Sequence, residues 1–469
     1  MPGPGAPFSP LRVAIIGAGP SAFYAAEHLL KQEGLQVEVD MFDRLPTPYG
    51  LVRAGVAPDH QKIKTVTKAF AQVAADPRFS FYGHVEFGTD ITLEDLRTRY
   101  HQVLFATGAQ SDKRMGIPGE DLKGSHPATH FVAWYNGHPD YRDHSFELDA
   151  ETAVIVGVGN VAIDVARILC LSEAELRATD MADHAIEALS NSRVRDVYLL
   201  GRRGPAQAAF TNPEIKELGE LAEADIIVRP EEAELDELSR TQVEEGGDRS
   251  LQRKIELIQS YASREPAGRK KRLHLRFLIS PEELIAGPDG EVAAVRAVRN
   301  RLAASESGAI SAIATGEYET IPAGLVFRSV GYRGAPLPGV PFHERWGVIL
   351  NAAGRVLDPE SQLPLPGLYT TGWIKRGPSG VIGTNKPDSV ETVTCMLQDY
   401  AAGHTFSDGC VPRDACHSFI VSRQPAAVSF DDWLRLDELE LAAGAGEGRP
   451  RVKFTSIEAM LEALGKPSL

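Results

Sequence analysis

The pattern Gly-x-Gly-x-x-Ala occurs twice in this chain, at residues 17–22 and 157–162. Each copy follows a short apolar run and precedes an apolar segment with helical spacing. A strand, a tight glycine turn and a helix form a unit that binds a dinucleotide, because the N–H groups and partial positive charge of the helix N-terminus attract the pyrophosphate. One copy alone is weak evidence, but two copies in the same context predict an α/β protein with two Rossmann-like domains.

The first copy leads to a carboxylate. Gly17 makes the turn, Gly19 lets the backbone approach the pyrophosphate, and Ala22 allows close packing of the helix on the strand. The next apolar strand ends at Asp43, where such folds place an acid that accepts hydrogen bonds from the adenosine ribose. Because a carboxylate repels a 2′-phosphate, this site is predicted to bind FAD or NAD in preference to NADP. The alternative is an aspartate that only ends a strand.

The second copy leads to two arginines. The apolar strand at 197–200 is followed by Arg202 and Arg203, at the place where an NAD site usually has an acid. Guanidinium groups form charge-assisted, often bidentate bonds with phosphate, so the pair favours NADP(H). The arginines lie about twice as far from the turn as the usual spacing of about 20 residues, which we attribute to extra helix at 172–190. Two solvated arginines in a turn are the alternative.

Length and composition limit the possible classes of protein. A chain of 469 residues is longer than one hydrophobic core usually supports, and none of its apolar runs approaches the ~20 residues of a membrane span. The net charge of -15 disfavours general nucleic-acid binding. Residues 1–7 show no secretory or transit signal, so we expect a soluble cytoplasmic protein. The four cysteines are Cys170, Cys395, Cys410 and Cys416. Because no two of them form a C-x-x-C pair, they argue against a disulfide-exchange, zinc or iron-sulfur centre.

Two further strands end on glycine and predict crossovers between domains. The first, at 101–108, is followed by the second dinucleotide unit, and the other, at 325–331, precedes the C-terminal part. We therefore expect an FAD domain of residues 1–108 and 332–469, with an NADP domain of residues 109–331 inserted in it. This is the three-layer ββα/βαβ architecture of flavoproteins with two dinucleotide sites.

Charged segments in the middle of the chain are open to two interpretations. Glu214 and Glu217 share one face of a predicted helix and favour a surface position, and the acidic run at 231–248 is interpreted as solvated. The densest basic run is either a solvated face or a docking site for an acidic protein. Its members are Arg264, Arg269, Lys270, Lys271, Arg272, His274 and Arg276.

Four segments together resemble the adrenodoxin reductase family, and in particular its bacterial ferredoxin-NADP reductases. They are residues 46–60, 157–164, 201–205 and 372–378. The resemblance implies an FAD-dependent NADPH:ferredoxin oxidoreductase, in which hydride passes from NADPH to FAD and single electrons pass to an acidic ferredoxin. Asp43 departs from the pattern, because a close relative has Glu there. Trp373 stands where many two-dinucleotide flavoproteins have an aspartate.

The resemblance also implies the roles of individual residues. FAD contacts are expected from Gly17, Ala18, Gly19, Ala22, Asp43, Leu51, Val85, Trp373, Gly380, Val381 and Ile382. NADP(H) contacts are expected from Gly157, Gly159, Asn160, Val161, Ala162, Ile163, Arg202, Arg203, Glu214 and Gly380. His60 and Glu217 match an interacting pair near the flavin that is implicated in hydride transfer. Two rivals remain: a flavoprotein subunit that oxidises NADPH for another acceptor, and a dinucleotide-binding sensor without turnover.

Overall fold

A computed structural model describes residues 10–305, 309–406 and 411–467 of the chain. It divides into two compact units, which we call the first unit (residues 1–111 and 331–469) and the second unit (residues 112–330). Cys410 and residues 1–7, on which the sequence made predictions, lie outside the described residues. Within the described ranges, no helix is long and apolar enough to cross a membrane.

Strands and helices alternate along most of the chain. The strands are β1 (Leu11–Ile16), β2 (Val37–Asp43), β3 (Phe79–Gly83), β4 (Gln102–Phe105), β5 (Ser111–Asp112), β6 (Ser125–Pro127), β7 (Thr152–Val156), β8 (Asp196–Gly201), β9 (Ala224–Val228), β10 (Lys271–Phe277), β11 (Ile279–Ala286), β12 (Val292–Ala304), β13 (Ile310–Pro322), β14 (Leu325–Arg328), β15 (Tyr332–Arg333), β16 (Phe342–His343), β17 (Val348–Ile349), β18 (Asn351–Ala352), β19 (Arg355–Leu357) and β20 (Pro364–Thr370). The helices are α1 (Pro20–Leu30), α2 (Leu51–Ala54), α3 (Gln61–Lys64), α4 (Thr67–Ala74), α5 (Leu93–Arg97), α6 (Ala128–Tyr135), α7 (Asn160–Cys170), α8 (Glu173–Arg177), α9 (Asp183–Ser190), α10 (Asn212–Leu218), α11 (Pro230–Ala233), α12 (Glu237–Gly246), α13 (Arg249–Ala262), α14 (Trp373–Arg376), α15 (Asn385–Ala401), α16 (Arg413–Arg423), α17 (Phe430–Glu447) and α18 (Ile457–Leu464).

The first unit is built on a seven-stranded sheet in the order β18-β19-β20-β4-β1-β2-β3. The five strands from β20 to β3 are parallel, and β18 and β19 add an antiparallel edge. All six residues of β1 are buried: the apolar ones enter clusters on the two faces of the sheet, and Arg12 is paired with the buried Asp40 at 2.8 Å. Val13 and Ile15 pack with α1, whereas Ala14 and Ile16 pack in the other cluster.

The second unit is built on a six-stranded parallel sheet in the order β6-β14-β7-β8-β10-β9. A separate antiparallel sheet of β11, β12 and β13 shares an apolar cluster with β7 and β8. In both units the strand before the glycine turn has neighbours on both sides, β2 and β4 for β1, and β8 and β14 for β7. Each turn therefore lies at a topological switch point, where open α/β sheets bind ligands. The predicted α/β class with two Rossmann-like units is confirmed.

The residue pattern of the first unit also predicts a short strand at 85–87 and a single helix at 62–75, and neither forms as predicted. The segment 85–87 is not a strand, apart from a single bridge between Phe87 and Ile91, because His84 adopts a left-handed φ of 57° that turns the chain. The helix expected at 62–75 is two helices, α3 and α4. The Thr65 hydroxyl donates to the Lys62 carbonyl at 2.7 Å at this break, a local bond that competes with continued helix.

The acidic and basic runs of the second unit are mostly exposed, as the solvated interpretation predicts, but each contains one buried charged residue. Arg276 is only 2% exposed, since β10 lies inside the sheet between β8 and β9. Its guanidinium donates to both carboxylate oxygens of Glu232 at 2.8–3.0 Å and to those of Glu319 at 2.9 Å. Glu232, expected in a solvated run, is buried. Residues 245–248, with two adjacent glycines, are typical of a loop, but α12 continues to Gly246. Each run thus supplies one partner of a buried ion pair.

Candidate functional site

The first glycine turn has no room for a side chain at its first residue, Gly17. Gly17 has φ +99°, and a Cβ there would lie 2.6 Å from the Ala106 carbonyl oxygen at the end of β4. The Gly17 N–H donates to the Phe42 carbonyl at 2.8 Å, which joins the turn to β2. At Gly19 a Cβ would meet nothing within 4 Å. The backbone of Gly19 is therefore open to a ligand.

The start of α1 completes an anion site at this turn. Gly19 is the N-cap residue, and no described side chain caps the helix there. The first-turn N–H groups of a helix have no intrahelical partner, so they are available to a phosphate. Ala22 is fully buried between helix and sheet, as its predicted packing role requires.

Asp43 ends β2, and its carboxylate is hydrogen-bonded to the backbone of the first glycine turn. Its Oδ2 accepts a hydrogen bond from the Ala18 N–H at 2.9 Å, and its Oδ1 accepts one from the Leu45 N–H at 2.9 Å. Desolvation raises the pKa of the Asp43 carboxyl, and the two backbone donors oppose this shift. Asp43 is thus the acid expected at the end of the second strand, and it contacts the glycine turn directly.

The loop at 46–60 lies directly against the turn. The Tyr49 N–H donates to the Ala18 carbonyl at 2.8 Å. A Cβ on Gly50, whose φ is +49°, would lie 3.1 Å from the Cα of Gly19. The next residue, Leu51, leaves 46% of its surface exposed, which offers an apolar contact beside the turn. Val85 is buried in the core, and its N–H donates to the Asp43 carbonyl at 2.9 Å.

The segment at 372–382 reaches the same end of the sheet. Gly372 has φ +75°, and a Cβ there would lie 2.5 Å from the Ser21 hydroxyl of α1. The Trp373 ring stacks on Tyr332 with centroids 6.0 Å apart, and its indole N–H donates to the Ser379 carbonyl at 3.2 Å. Gly380 has φ +78°, Val381 is exposed, and Ile382 packs on the core of the first unit.

Asp388 of α15 is not among the predicted site residues, although Trp373 stands where related flavoproteins have an aspartate. In the structure, Asp388 Oδ2 accepts a hydrogen bond from the Gly372 N–H at 2.6 Å, and Oδ1 lies 3.0 Å from Lys375 Nζ. The available signal was an acid in the first turn of the helix that follows the glycine-rich loop.

The second glycine turn repeats the geometry of the first. Gly157 has φ +135°, and a Cβ there would clash with the Ser329 carbonyl oxygen at the end of β14. Its N–H donates to the Leu200 carbonyl of β8 at 2.9 Å. A Cβ on Gly159 would meet nothing within 4 Å, and no described side chain caps α7. Ala162 and Ile163 are fully buried, and Val161 packs at the edge of the same core.

Asn160 joins the second turn to α10. Its Oδ1 accepts a hydrogen bond from the Thr211 N–H at 2.9 Å, just before α10 begins. Glu214 of this helix is 7% exposed, so its predicted surface position is wrong: the residue faces the packed side of the helix. Glu217, one turn on, places Oε2 3.6 Å from Arg167 Nη1 of α7.

Arg202 and Arg203 follow β8 as predicted, and their backbone is fixed. The Asn300 side-chain amide donates to the Arg202 carbonyl at 2.9 Å, and the Leu278 N–H donates to the Arg203 carbonyl at 3.1 Å. Neither guanidinium has a hydrogen-bond or ion-pair partner among the residues that the structure describes. Desolvation and the neighbouring charge of Arg202 lower the pKa of Arg203. Two adjacent positive charges without a counter-charge favour an anionic ligand.

The predicted catalytic residues belong to different units. His60 is half-buried and immediately precedes α3 in the first unit, whereas Glu217 lies on α10 of the second. Gly380, predicted to contact both cofactors, belongs to the first unit. Their joint roles stay predictions.

The family model and the relatives that match this chain indicate the same kind of oxidoreductase. The model of the pyridine nucleotide-disulphide oxidoreductases matches residues 11–204. The NADPH-ferredoxin reductase FprA of Mycobacterium tuberculosis (strain H37Rv) is 44% identical over 462 residues, which cover 96% of this chain and 98% of the relative. The mitochondrial NADPH:adrenodoxin oxidoreductase of Homo sapiens is 42% identical over 464 residues, covering 97% and 92% of the two chains.

Solved structures agree with this relationship. The structure of Mycobacterium tuberculosis FprA in complex with NADPH superposes with a TM-score of 0.91 at 43% identity, covering 97% of this chain and 99% of the other. A second FprA structure, which shows a covalent modification of NADP+, gives a TM-score of 0.89 at 43% identity over 97% of this chain and 99% of the other. With such identity along nearly its whole length, the chain belongs to the adrenodoxin reductase family of oxidoreductases.

Proposed function

We propose that the protein is an FAD-dependent NADPH:ferredoxin oxidoreductase, that is, a ferredoxin-NADP(+) reductase. The observation that carries the proposal is the contrast between the two strand ends beside the glycine turns. One presents Asp43 to the first turn, and the other presents the guanidiniums of Arg202 and Arg203, which have no partner within the described part of the chain. The names of the relatives, NADPH-ferredoxin reductase and NADPH:adrenodoxin oxidoreductase, support the same activity.

The residues of the first unit fit FAD. Gly19 leaves room for a pyrophosphate, and the uncapped N-terminus of α1 supplies N–H donors. We assign the adenosine ribose to Asp43 and the flavin side of the cofactor to Leu51, Trp373 and residues 380–382. FAD, when bound, accepts a hydride and releases electrons singly, so the protein's part is to bind, orient and exclude competing reactions.

The residues of the second unit fit NADPH. Gly159 and the start of α7 offer the same open pyrophosphate site, and Arg202 and Arg203 offer two charge-assisted donors to a 2′-phosphate. Glu214 is assigned to the nicotinamide half. We infer that the FAD domain comprises residues 1–108 and 332–469 and the NADP domain residues 109–331.

Two further assignments complete the site. His60 and Glu217 are proposed to position the nicotinamide for hydride transfer. Gly380 has no side chain and a left-handed φ of 78°, so we propose that its backbone lies close to both cofactors.

The electron acceptor is proposed to be an acidic ferredoxin. Arg276 is excluded from its docking site by burial, and Lys271 is partly buried with its ammonium group on the Leu169 carbonyl at 2.7 Å. The exposed members of the predicted basic region are Arg264, Arg269, Lys270 and Arg272. The last three pair with Asp225, Glu223 and Asp196 respectively, so their net contribution to docking is reduced. The cytoplasmic location stays a prediction.

The purified protein tests this proposal in three steps. We expect flavin absorbance in the protein as isolated, bleaching on addition of NADPH under anaerobic conditions, and cytochrome c reduction only when a ferredoxin is also added. Absence of bound flavin would overturn the proposal. Bleaching without transfer to any ferredoxin would favour an NADPH-oxidising subunit for another acceptor, and flavin binding without bleaching would favour a sensor.

A further inference from the structure

The C-terminal helix α17 contributes a buried carboxylate to the first unit. Glu440 is 1% exposed, and its oxygens accept hydrogen bonds from both terminal nitrogens of Arg53 at 2.5 and 2.7 Å. Oε2 also accepts one from Arg451 at 3.0 Å, and Oε1 accepts one from the Phe454 N–H at 2.9 Å. Burial alone would disfavour the charged carboxylate, but the charges and hydrogen bonds around it lower the pKa of Glu440. The group is therefore held as an anion.

The other end of this ion pair belongs to the loop at 46–60. Arg53 lies on the single turn α2, two residues after Leu51. Its carbonyl accepts a hydrogen bond from Lys453 Nζ at 3.3 Å, and its guanidinium lies 5.1 Å from the centroid of the Trp433 ring. The C-terminal segment thus contacts the side chain and the backbone of one loop residue.

A further contact joins the tail to Tyr49, whose backbone is bonded to the glycine turn. Trp433 packs edge-to-face on Tyr49, with ring centroids 5.8 Å apart and an angle of 87°. The Tyr49 N–H in turn donates to the Ala18 carbonyl of the first turn. A short, continuous path of direct contacts therefore runs from α17 to the glycine turn.

The loop needs such support because its own structure is weak. Tyr49 has φ +83° and Gly50 φ +49°, both in the left-handed region, and α2 and α3 have only four residues each. Helices of one turn are not stable by themselves, and a non-glycine residue at positive φ is strained. What keeps residues 49–51 against the turn must therefore come from outside the loop.

We propose that Glu440 is a positioning residue of the FAD site, which through Arg53 holds Leu51 and the backbone of residues 49–51 against the first glycine turn. The C-terminal segment then acts as a latch on the bound cofactor. This inference rests on the proposed function, because it takes the first turn as the FAD site. Glu440 itself touches no cofactor.

The test compares Glu440→Gln with Glu438→Gln in the flavin-loaded protein. Glutamine keeps the size of the side chain and removes the charge, while Glu438 is an exposed acid on the same helix. FAD dissociation is followed by the recovery of free-flavin fluorescence after dilution. We expect Glu440→Gln to release FAD about 10-fold faster or more, because a loop that has lost its anchor opens more often while the cofactor is bound. Glu438→Gln should match the wild type.

Hydrogen exchange separates a latch from a general loss of stability. In Glu440→Gln without FAD, amides of the segment 49–56 should exchange faster while those of β1 remain protected, because only the loop loses its anchor. Equal acceleration in both segments would mean that Glu440 is merely structural and would overturn the proposal. This measurement needs no flavin, so it reports on the latch even if the wild type retains none.

A second variant keeps the test decisive if Glu440→Gln fails to fold. Arg53→Met removes the loop side of the pair and leaves Glu440 with Arg451 and the Phe454 N–H. We expect the same increase in FAD release, and no further increase in the double variant, because the two residues act through one interaction. If the wild type retains FAD and both single variants retain it equally long, the latch is wrong and the FAD assignment stands. If the wild type retains no FAD, the proposed function fails instead.

Discussion

The two glycine turns have the same backbone but differ in what the neighbouring strand presents. In each turn the first glycine has a left-handed φ and donates its N–H to the end of the second strand, Phe42 or Leu200. The second glycine in each is open. Beside the first turn lies a carboxylate in contact with the Ala18 N–H. The second strand of the other unit is followed by two guanidiniums that have no partner in residues 10–305, 309–406 and 411–467. The turn thus selects a pyrophosphate, while the strand end decides which dinucleotide carries it.

The largest effect should follow from removing the arginines. Replacing both Arg202 and Arg203 by Ala should reduce the preference for NADPH over NADH by about 3–6 kcal/mol, since each charge-assisted hydrogen bond contributes about 1.5–3 kcal/mol. The ratio of kcat/KM for the two nucleotides measures this. Arg195→Ala, an exposed arginine before the opposite end of β8, is the matched control. An unchanged preference in the double variant would show that the 2′-phosphate binds elsewhere.

The turns also differ in how they are supported. Asp388 holds the Gly372 N–H and the buried Lys375, whereas Asn160 holds one backbone N–H of Thr211. Asp388→Ala should lower the free energy of unfolding by about 2–3 kcal/mol, because it leaves a buried ammonium with fewer partners. Asn160→Ala should cost about 1 kcal/mol.

Thermal unfolding of the two variants measures this difference. Glu438→Ala, at an exposed acid in the middle of α17, is the control and should leave the midpoint unchanged. Equal losses for Asp388→Ala and Asn160→Ala would contradict the stronger support of the first turn.

The open glycines should respond alike in both units. Gly19 and Gly159 have φ of -82° and -102°, which alanine adopts without strain. Gly19→Ala and Gly159→Ala should therefore fold normally, while each weakens its own dinucleotide about 10-fold, or ~1.4 kcal/mol. Titration with FAD and with NADPH tests the two sites separately. If either variant binds its ligand as tightly as the wild type, the open space at that glycine is not ligand space.

The smallest expected effect is a pH dependence of the free energy of unfolding that arises from Asp43, beside the first turn. The pKa of Asp43 is raised in the folded protein, so the folded state binds its proton more tightly than the unfolded state. The wild type should consequently gain stability relative to Asp43→Asn as the pH falls from 7 towards 4.

Calorimetric midpoints of the flavin-free proteins measure this difference. The corresponding difference for Arg202→Met/Arg203→Met should stay constant over the same range, because arginine remains protonated. A wild-type advantage over Asp43→Asn that shrinks with acidification would contradict the assigned direction of the pKa shift.

The sequence predicts the parts of this molecule that depend on local pattern. Both glycine turns, the strands before them and the positions of Asp43 and Arg202 follow from periodicity and spacing. The buried ion pairs do not, because their partners are distant in the chain: Glu440 meets Arg53, and Glu232 meets Arg276. In a single sequence such charges resemble surface residues, since burial of a charge is decided by the partner that folding brings to it.

The carbonyls that lie against the first glycine of each turn limit where this chain can be divided. Ala106 donates its N–H to Ile16 at the end of β1, and Ser329 donates its N–H to Val156 at the end of β7, both at 2.8–2.9 Å. These residues lie within six positions of the boundaries between the units, on the side of the unit whose turn they contact. A separately expressed second unit must therefore retain Ser329, and a first unit with a shortened insert must retain Ala106. In a domain exchange between relatives, a junction that separates Ala106 or Ser329 from its own unit would remove the carbonyl that packs against the first glycine of the turn.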